Sequence, residues 1–365
     1  MIGGFLGAGK TTAVAQLARQ LTDEGVKVGL ITNDQGSELV DTALLRSRGF
    51  ATEEIAGGCF CCRFNSLTDA AKKLTSTSRP DVFIAEPVGS CTDLIATVTY
   101  PLRRIYGDDY EIAPLSVLVD PIRALRIFGL ETGGKFSEKV LYIYRNQLAE
   151  ADVIVINKID LLTEAQRNLL RDCFAREFPS ASIFEISARS RNGLAEWFHH
   201  IRTVFQNSTS GLEIDYDIYS DGEALLGWLN CTIQLSHTTG VDANSVLTEC
   251  AKSIQEYFKK NGAEIGHLKM TLSPDVGLGD IAVINLVRND YVPELSQTLD
   301  EPVEAAQIIL NLRAEAAPEL LRDAVKSVMS HLEQTNSQMK LALEHLEHFR
   351  PGRPNPTHRF LTPAL

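Results

Sequence analysis

Apolar residues recur every three or four positions through Ala13, Val14, Leu17, Ala18 and Leu21, a period that predicts a helix from Thr11 onward. Short apolar runs follow at 26–32, 81–86, 115–120, 152–157 and 182–187, each separated from the next by helical or loop segments. Buried strands alternating with helices predict a doubly wound, mostly parallel sheet. In such sheets ligands bind beyond the carboxyl ends of the strands, and Asp34, Glu86, Asp120, Asn157 and Ser187 fall there. Only Met1 and Ile2 precede the first glycines, less than a complete buried strand needs, so either the start lies upstream or the first strand is truncated.

The pattern changes near residue 206. The polar stretch 207–222 lacks apolar periodicity and reads as a linker that closes a first domain of 1–206. Beyond it, strands at 225–235, 264–272, 281–288 and 306–313 and helices at 244–260 and 318–333 predict a smaller α+β domain over 223–336, with a ferredoxin-like arrangement as one candidate. Residues 337–365 are expected as a helical extension and a tail. From about Glu347 the tail carries Pro351, Pro354 and Pro356 among Arg350, Arg353 and Arg359, which argues against a packed element.

Composition narrows the function. The 365 residues are 44% hydrophobic and 22% charged, enough for two cores. A net charge of −12 argues against a nucleic-acid surface, which needs a basic face to displace counterions. No apolar run approaches the roughly 20 residues that cross a bilayer and no leader pattern is visible, so the expectation is a cytoplasmic protein with no membrane partner. Seven cysteines, an odd number, fit reduced thiols and metal better than a secreted disulfide framework.

The most specific chemistry lies at the start. Gly4-Phe5-Leu6-Gly7-Ala8-Gly9-Lys10-Thr11 fits G-x-x-x-x-G-K-[ST] at every fixed position. The glycines, with Ala8 and Thr12, let backbone N–H groups close on phosphates at a helix N-terminus, Lys10 neutralises the terminal phosphates, and Thr11 holds Mg²⁺. Asn157-Lys158-Ile159-Asp160 follows a strand, where a carboxylate such as Asp160 accepts the paired N–H donors of guanine that adenine lacks. Burying that carboxylate unpaired would penalise ATP, and discrimination of this kind reaches about 10⁴-fold. Ser187 and Ala188 offer backbone contacts to the guanine oxygen. Glu86 is placed to hold the Mg²⁺ shell and Gly89 to reach the γ-phosphate; Asp34 or Asp41 is placed to bind Mg²⁺ or orient the attacking water.

A second constellation is Cys59-Phe60-Cys61-Cys62, preceded by Gly57-Gly58. Three thiolates on a tight backbone select Zn²⁺, Cu⁺ or, with mixed N/O donors, Co²⁺ and Ni²⁺, and leave one tetrahedral position open. Three small buried hydrophobes or a redox-active disulfide are the other readings. Cys91 is a candidate fourth ligand, although a cysteine at a helix start is commoner; Cys173, Cys231 and Cys250 lie in apolar patterns and are expected in cores.

The phosphate loop (residues 3–12), Gly57 to Cys62, Glu86 to Gly89 and Asn157 to Asp160 together resemble the CobW-like family of metal-handling P-loop GTPases of the SIMIBI class, relatives of the urease and hydrogenase nickel-insertion GTPases. The resemblance covers residues 1 to about 205. It implies a P-loop GTPase domain that couples GTP hydrolysis to delivery of a metal to a client metalloprotein or cofactor-assembly protein, with nucleotide-dependent homodimerisation or client docking. It also implies the cofactors GTP/GDP, Mg²⁺ and Zn²⁺ (or Co²⁺/Ni²⁺). The alternative is a GTP-dependent switch whose cysteines are structural or redox-active. The chain departs from the family in having Glu-Pro-Val-Gly-Ser-Cys at 86–91, where many members have Thr-Thr-Gly, and in lacking a His-rich tract. No arginine is placed as a cis finger, so slow, partner-stimulated hydrolysis is expected.

Overall fold

The computed structural model describes residues 1–33, 45, 49–204, 211–276 and 279–362. Asp34, Asp41 and residues 207–210 lie outside them. Two compact units emerge. The first holds the described residues up to Asn33, those from 49 to 222, and those from 353 onward; the second holds Leu45 and the described residues of 223–352.

The first unit is wound around parallel strands. Strands β1 (Ile2–Gly4), β5 (Ser116–Val119), β6 (Val153–Ile156) and β7 (Ser182–Glu185) form one parallel sheet in the order β1-β5-β6-β7, and β2 (Val28–Asn33), β3 (Ala51–Ile55) and β4 (Val82–Glu86) a second in the order β3-β2-β4. Strands β1 and β4 are neighbours, so the winding reverses at β1, the switch point where doubly wound sheets bind ligands. Strands β5 and β6 are buried at every position, as their unbroken apolar runs require. Helix α1 (Lys10–Asp23) buries Ala13, Val14, Leu17, Ala18 and Leu21, the predicted stripe. Helices α2 (Phe64–Thr77), α3 (Tyr100–Tyr106), α4 (Pro121–Ile127), α5 (Glu138–Ala149), α6 (Glu164–Glu177) and α7 (Leu194–Thr203) complete the layers.

Two expectations for this unit need correction. The stretch 207–222 is not simply a linker, because helix α8 (Tyr216–Leu225) begins inside it. Tyr219 is 1% exposed and its hydroxyl donates to the Ser90 carbonyl, while the Tyr216 hydroxyl donates to Asp93 at 2.6 Å. Tyrosines rather than an aliphatic stripe anchor this helix, which is why apolar periodicity misses it. The tail is also packed. From Arg353 it lies extended on the first unit, with the Phe360 N–H bonded to the Ala96 carbonyl and the Arg104 guanidinium 4.3 Å from the Phe360 ring. Prolines preclude helix but suit an extended strand-like segment whose hydrogen bonds go to its neighbours.

The second unit is an antiparallel sheet in the order β11-β10-β9-β12-β8-β13, built from β8 (Leu226–Val241), β9 (Glu264–Pro274), β10 (Ala282–Leu286), β11 (Glu294–Gln297), β12 (Val303–Glu315) and β13 (Met339–Phe349). With α9 (Ala243–Lys260) after β8 and α10 (Pro318–Thr335) after β12, the path β8-α9-β9-β12-α10-β13 is the ferredoxin-like βαββαβ unit, with β10 and β11 inserted as an edge hairpin. Its core takes in Cys231 and Cys250 together with Leu247, Phe258, Leu310 and Val325. The helical extension expected from 337 is instead strand β13, paired antiparallel with β8. Its Met, Leu, Ala, Glu and Lys residues favour helix locally, but sheet pairing overrides that preference.

Candidate functional site

The phosphate loop turns from β1 into α1. Gly9, the N-cap of α1, has φ 93°, and a Cβ there would fall 2.4 Å from the Asn157 amide nitrogen. Only glycine fits, because the turn is left-handed and the loop is gripped from outside. The Asn157 amide donates to the Ala8 carbonyl at 2.9 Å and its oxygen accepts the Ala188 N–H at 3.0 Å. The Lys158 ammonium donates to the Gly7 carbonyl at 2.7 Å and pairs with the buried Asp120 at 2.9 Å. The tetrapeptide expected to read a base therefore braces the phosphate loop. Lys10 caps the Gly4 carbonyl at 2.9 Å, within its own loop.

Thr11 Oγ1 donates to Glu86 Oε1 at 2.9 Å, and both side chains are about 5% exposed. Mg²⁺ with oxygens at about 2.0–2.1 Å sets adjacent ligands about 2.9 Å apart, so this pair fits the edge of a Mg²⁺ shell. Gly89 closes against the loop: a Cβ there would lie 2.7 Å from the Leu6 side chain. Asp160 is exposed, so any penalty for an unpaired carboxylate arises only once a base covers it. Ser187 is buried and its N–H is bonded to the Asn192 carbonyl, while the Ala188 N–H, expected to be offered to guanine, is held by Asn157. Thr12 is exposed on the first turn of α1.

The cysteine loop leaves β3 through Gly57 and Gly58, at φ 77° and 151°. The Cys62 and Arg63 N–H groups both bond to the Cys59 carbonyl, at 3.0 and 2.9 Å, curling the loop into a turn that leads into α2. The sulfurs of Cys59, Cys61 and Cys62 all lie within 4.8 Å of one another; Cys59 and Cys62 are 3.3 Å apart and Cys61 and Cys62 3.7 Å. Zinc with Zn–S near 2.3 Å separates tetrahedral sulfurs by about 3.8 Å, so the donor set fits a soft metal. The Cys62 thiol is pushed up to about 11, first by its hydrogen bond with Cys59, and the Cys61 thiol is raised by hydrogen bonds with Cys59, Cys62 and Cys91. Crowded thiols resist becoming thiolates together unless a cation joins them, so a metal taken up at this site would release protons.

Two features escape sequence reasoning. Asn33, at the end of β2, donates to the Ile55 and Gly58 carbonyls at 3.0 and 2.6 Å, tying the strand before Asp34 to the cysteine loop. The tail crosses that loop as well: the Asn355 N–H donates to Cys62 Sγ at 3.2 Å, and the Thr357 N–H donates to the Cys61 carbonyl at 2.9 Å. An asparagine at a strand's carboxyl end was the only available signal for the first. Cys91, the candidate fourth ligand, is 2% exposed and its thiol meets that of Cys61.

Residues 1–184 match the family model for the CobW/HypB/UreG nucleotide-binding domain. Zinc chaperone YeiR of Escherichia coli (strain K12) is 32% identical over 175 residues, 47% of this chain and 49% of that protein. Zinc chaperone CobW of Sinorhizobium sp is 31% identical over 193 residues, covering 47% and 53%. The crystal structure of hydrogenase maturation factor HypB from Archaeoglobus fulgidus aligns with 25% identity over 55% of this chain and 86% of that one, at a TM-score of 0.38. The chain spans about half the length of the curated relatives it matches. No helix among the described residues is long and apolar enough to cross a membrane. With the phosphate loop, the cysteine loop, Glu86 to Gly89 and Asn157 to Asp160 all inside the matched residues, the chain belongs to the CobW/HypB/UreG family.

Proposed function

We propose that this chain binds and hydrolyses GTP and uses the nucleotide state to control the binding and delivery of a transition metal, Zn²⁺ foremost, to a client protein. The carrying observation is the convergence of three thiols within 4.8 Å in the same unit as a braced phosphate loop. In this reading the phosphates lie on the N-terminus of α1 with Lys10 on the terminal ones, Thr11 and Glu86 hold Mg²⁺, and Asp160 reads guanine. Asp34 or Asp41 orients the attacking water. The names of the relatives YeiR and CobW, both zinc chaperones, support zinc over cobalt or nickel.

Coupling follows from the connections. Asn33 joins the strand before Asp34 to the Gly58 carbonyl, so a change around the γ-phosphate reaches the thiols through one side chain. Linkage then requires metal and GTP to tighten each other by the same factor. The test is an anaerobic titration of Zn²⁺, Co²⁺ and Ni²⁺ into the full chain with GDP or a non-hydrolysable GTP analogue, beside a Cys59/Cys61/Cys62→Ala variant. Tighter metal binding with the analogue, lost in the variant, is the expected result. Metal binding that ignores nucleotide or survives loss of the cysteines leaves a GTP switch, and thiol loss on oxidation without metal makes the site redox-active.

A further inference from the structure

We infer that Cys91 is a fourth thiolate of the cysteine site, closing a four-sulfur metal centre whose last ligand rides on the segment that touches the phosphate loop. The inference rests on the metal-handling reading above and adds to it a ligand and a lever.

Cys91 comes from a different part of the chain than the three loop cysteines. It is 2% exposed, as closed off as Cys59 and Cys61 at 6% and 1%. Its thiol shares a hydrogen bond with the Cys61 thiol, so the cluster of three already touches a fourth sulfur on one side. Its backbone is pinned: the Cys91 N–H bonds to the Val88 carbonyl at 3.0 Å, and the Gln147 amide donates to the Gly89 and Cys91 carbonyls at 3.0 and 2.8 Å. A buried glutamine that bonds two carbonyls of one short turn keeps that turn beside the cysteine loop and leaves the Cys91 side chain its own rotamer freedom. Soft divalent metals take four tetrahedral donors when nothing competes, and a buried thiol beside three others is a better fourth donor than water in an enclosed site. The Cys91 sulfur lies outside the group whose sulfurs are all within 4.8 Å of one another, so binding requires its side chain to swing from its contact with Cys61 onto the shared ion.

The segment carrying Cys91 is also the one that meets the nucleotide loop. Within 86–91, Glu86 accepts from Thr11 Oγ1 and Gly89 packs against Leu6 with no room for a methyl group. Three ligands thus come from one turn and the fourth from a lever whose position depends on the phosphates. Nucleotide then sets the coordination number: four sulfurs hold the metal, and withdrawal of Cys91 leaves three and an open position for a client's ligand.

The full chain and a Cys91→Ser variant are titrated with Co²⁺ and, by competition with a chromophoric chelator, with Zn²⁺, each with GDP or the GTP analogue. Serine keeps the size and turn of Cys91 and lies between Ser90 and Thr92, so the fold is retained. The expected result is loss of about one quarter of the sulfur-to-cobalt charge-transfer intensity, at least tenfold weaker Zn²⁺ binding, and collapse of the affinity difference between nucleotides. X-ray absorption of the zinc-loaded wild-type chain counts sulfurs without any variant, and four in at least one nucleotide state is the expected number. Three sulfurs in both states, or a Cys91→Ser variant with unchanged spectrum and affinity, overturn the fourth ligand while leaving the three-cysteine site intact. Metal binding that survives Cys59/Cys61/Cys62→Ala overturns the underlying reading and this inference with it.

Discussion

Two residues of one tetrapeptide have separable roles. Asn157 is 2% exposed and bridges the Ala8 carbonyl and the Ala188 N–H before any nucleotide arrives. Asn157→Ala strands both backbone groups, each at about 1–3 kcal/mol, so urea unfolding of the nucleotide-free protein should register the loss. Asp160 is exposed, and in the proposed function it acts only on a base. Asp160→Asn should leave that unfolding curve in place and weaken GTP by about 1.5–3 kcal/mol, the worth of charge-assisted hydrogen bonds. Equal stability loss in the two variants would refute this division. The motif was legible as a candidate because guanine and phosphate demand particular donors and acceptors. The bracing by Asn157 was not, since its partners lie 149 and 31 positions away and only folding brings them near.

Among elements, the end of α5 carries a charge problem. Glu150, its C-cap, accepts from Thr92 Oγ1 at 2.9 Å and the Ile95 N–H at 3.2 Å, where a π-helical turn (Ile95–Thr99) begins. Burial, then the neighbouring Asp93 carboxylate, pushes the Glu150 carboxyl from 4.5 up to about 8 against those hydrogen bonds. Between these values the native state keeps a proton that the unfolded chain has released, so stability falls as pH rises through that window and levels off beyond it. The slope reaches about 1.4 kcal/mol per pH unit for one proton. In Glu150→Gln the amide donates to Thr92 Oγ1, which turns to accept, and the amide oxygen keeps the backbone N–H. The variant should gain on the wild type in urea unfolding as pH rises from 5.5 to 8; a constant difference would rule out the titration. At this scale the sequence shows elements whose burial is uniform, such as β5 and β6. It hides β3, an edge strand with Glu53 and Glu54 in its five residues, and β13, whose alternation through Lys340, Ala342 and Glu344 breaks at a register shift after Leu343. Edge position and bulges are tertiary facts that local propensity does not carry.

For the whole molecule, chain order and spatial order part company: the polypeptide leaves the first unit at Gly222, builds the second, and returns at Arg353 to cover the cysteine loop of the first. The returning strap is held at mid-length by Arg359, which meets Asp93 at 2.7 Å and the Leu212 carbonyl at 2.8 Å. Asp93 has a side chain only 2% exposed, and its carboxyl is raised by burial although Tyr216 and Arg359 both bond to it. Arg359→Ala leaves that carboxylate with the Tyr216 hydroxyl, a loss of about 1–3 kcal/mol. It also loosens the strap over Cys62: the sulfur loses the Asn355 N–H, which favours its thiolate, but gains access, and at a pH high enough to ionise it the thiol should react several-fold faster with a thiol reagent in the metal-free protein. Pairing it with Asp93→Asn removes the buried charge, so the double variant should recover most of the stability by urea unfolding, a coupling read directly from the double-mutant cycle. Cys62 should stay fast in that double variant, because the strap is still unanchored. If thiol reactivity instead returns to the wild-type rate along with stability, Asn355 shields Cys62 without help from Arg359, and the anchor is only a local ion pair.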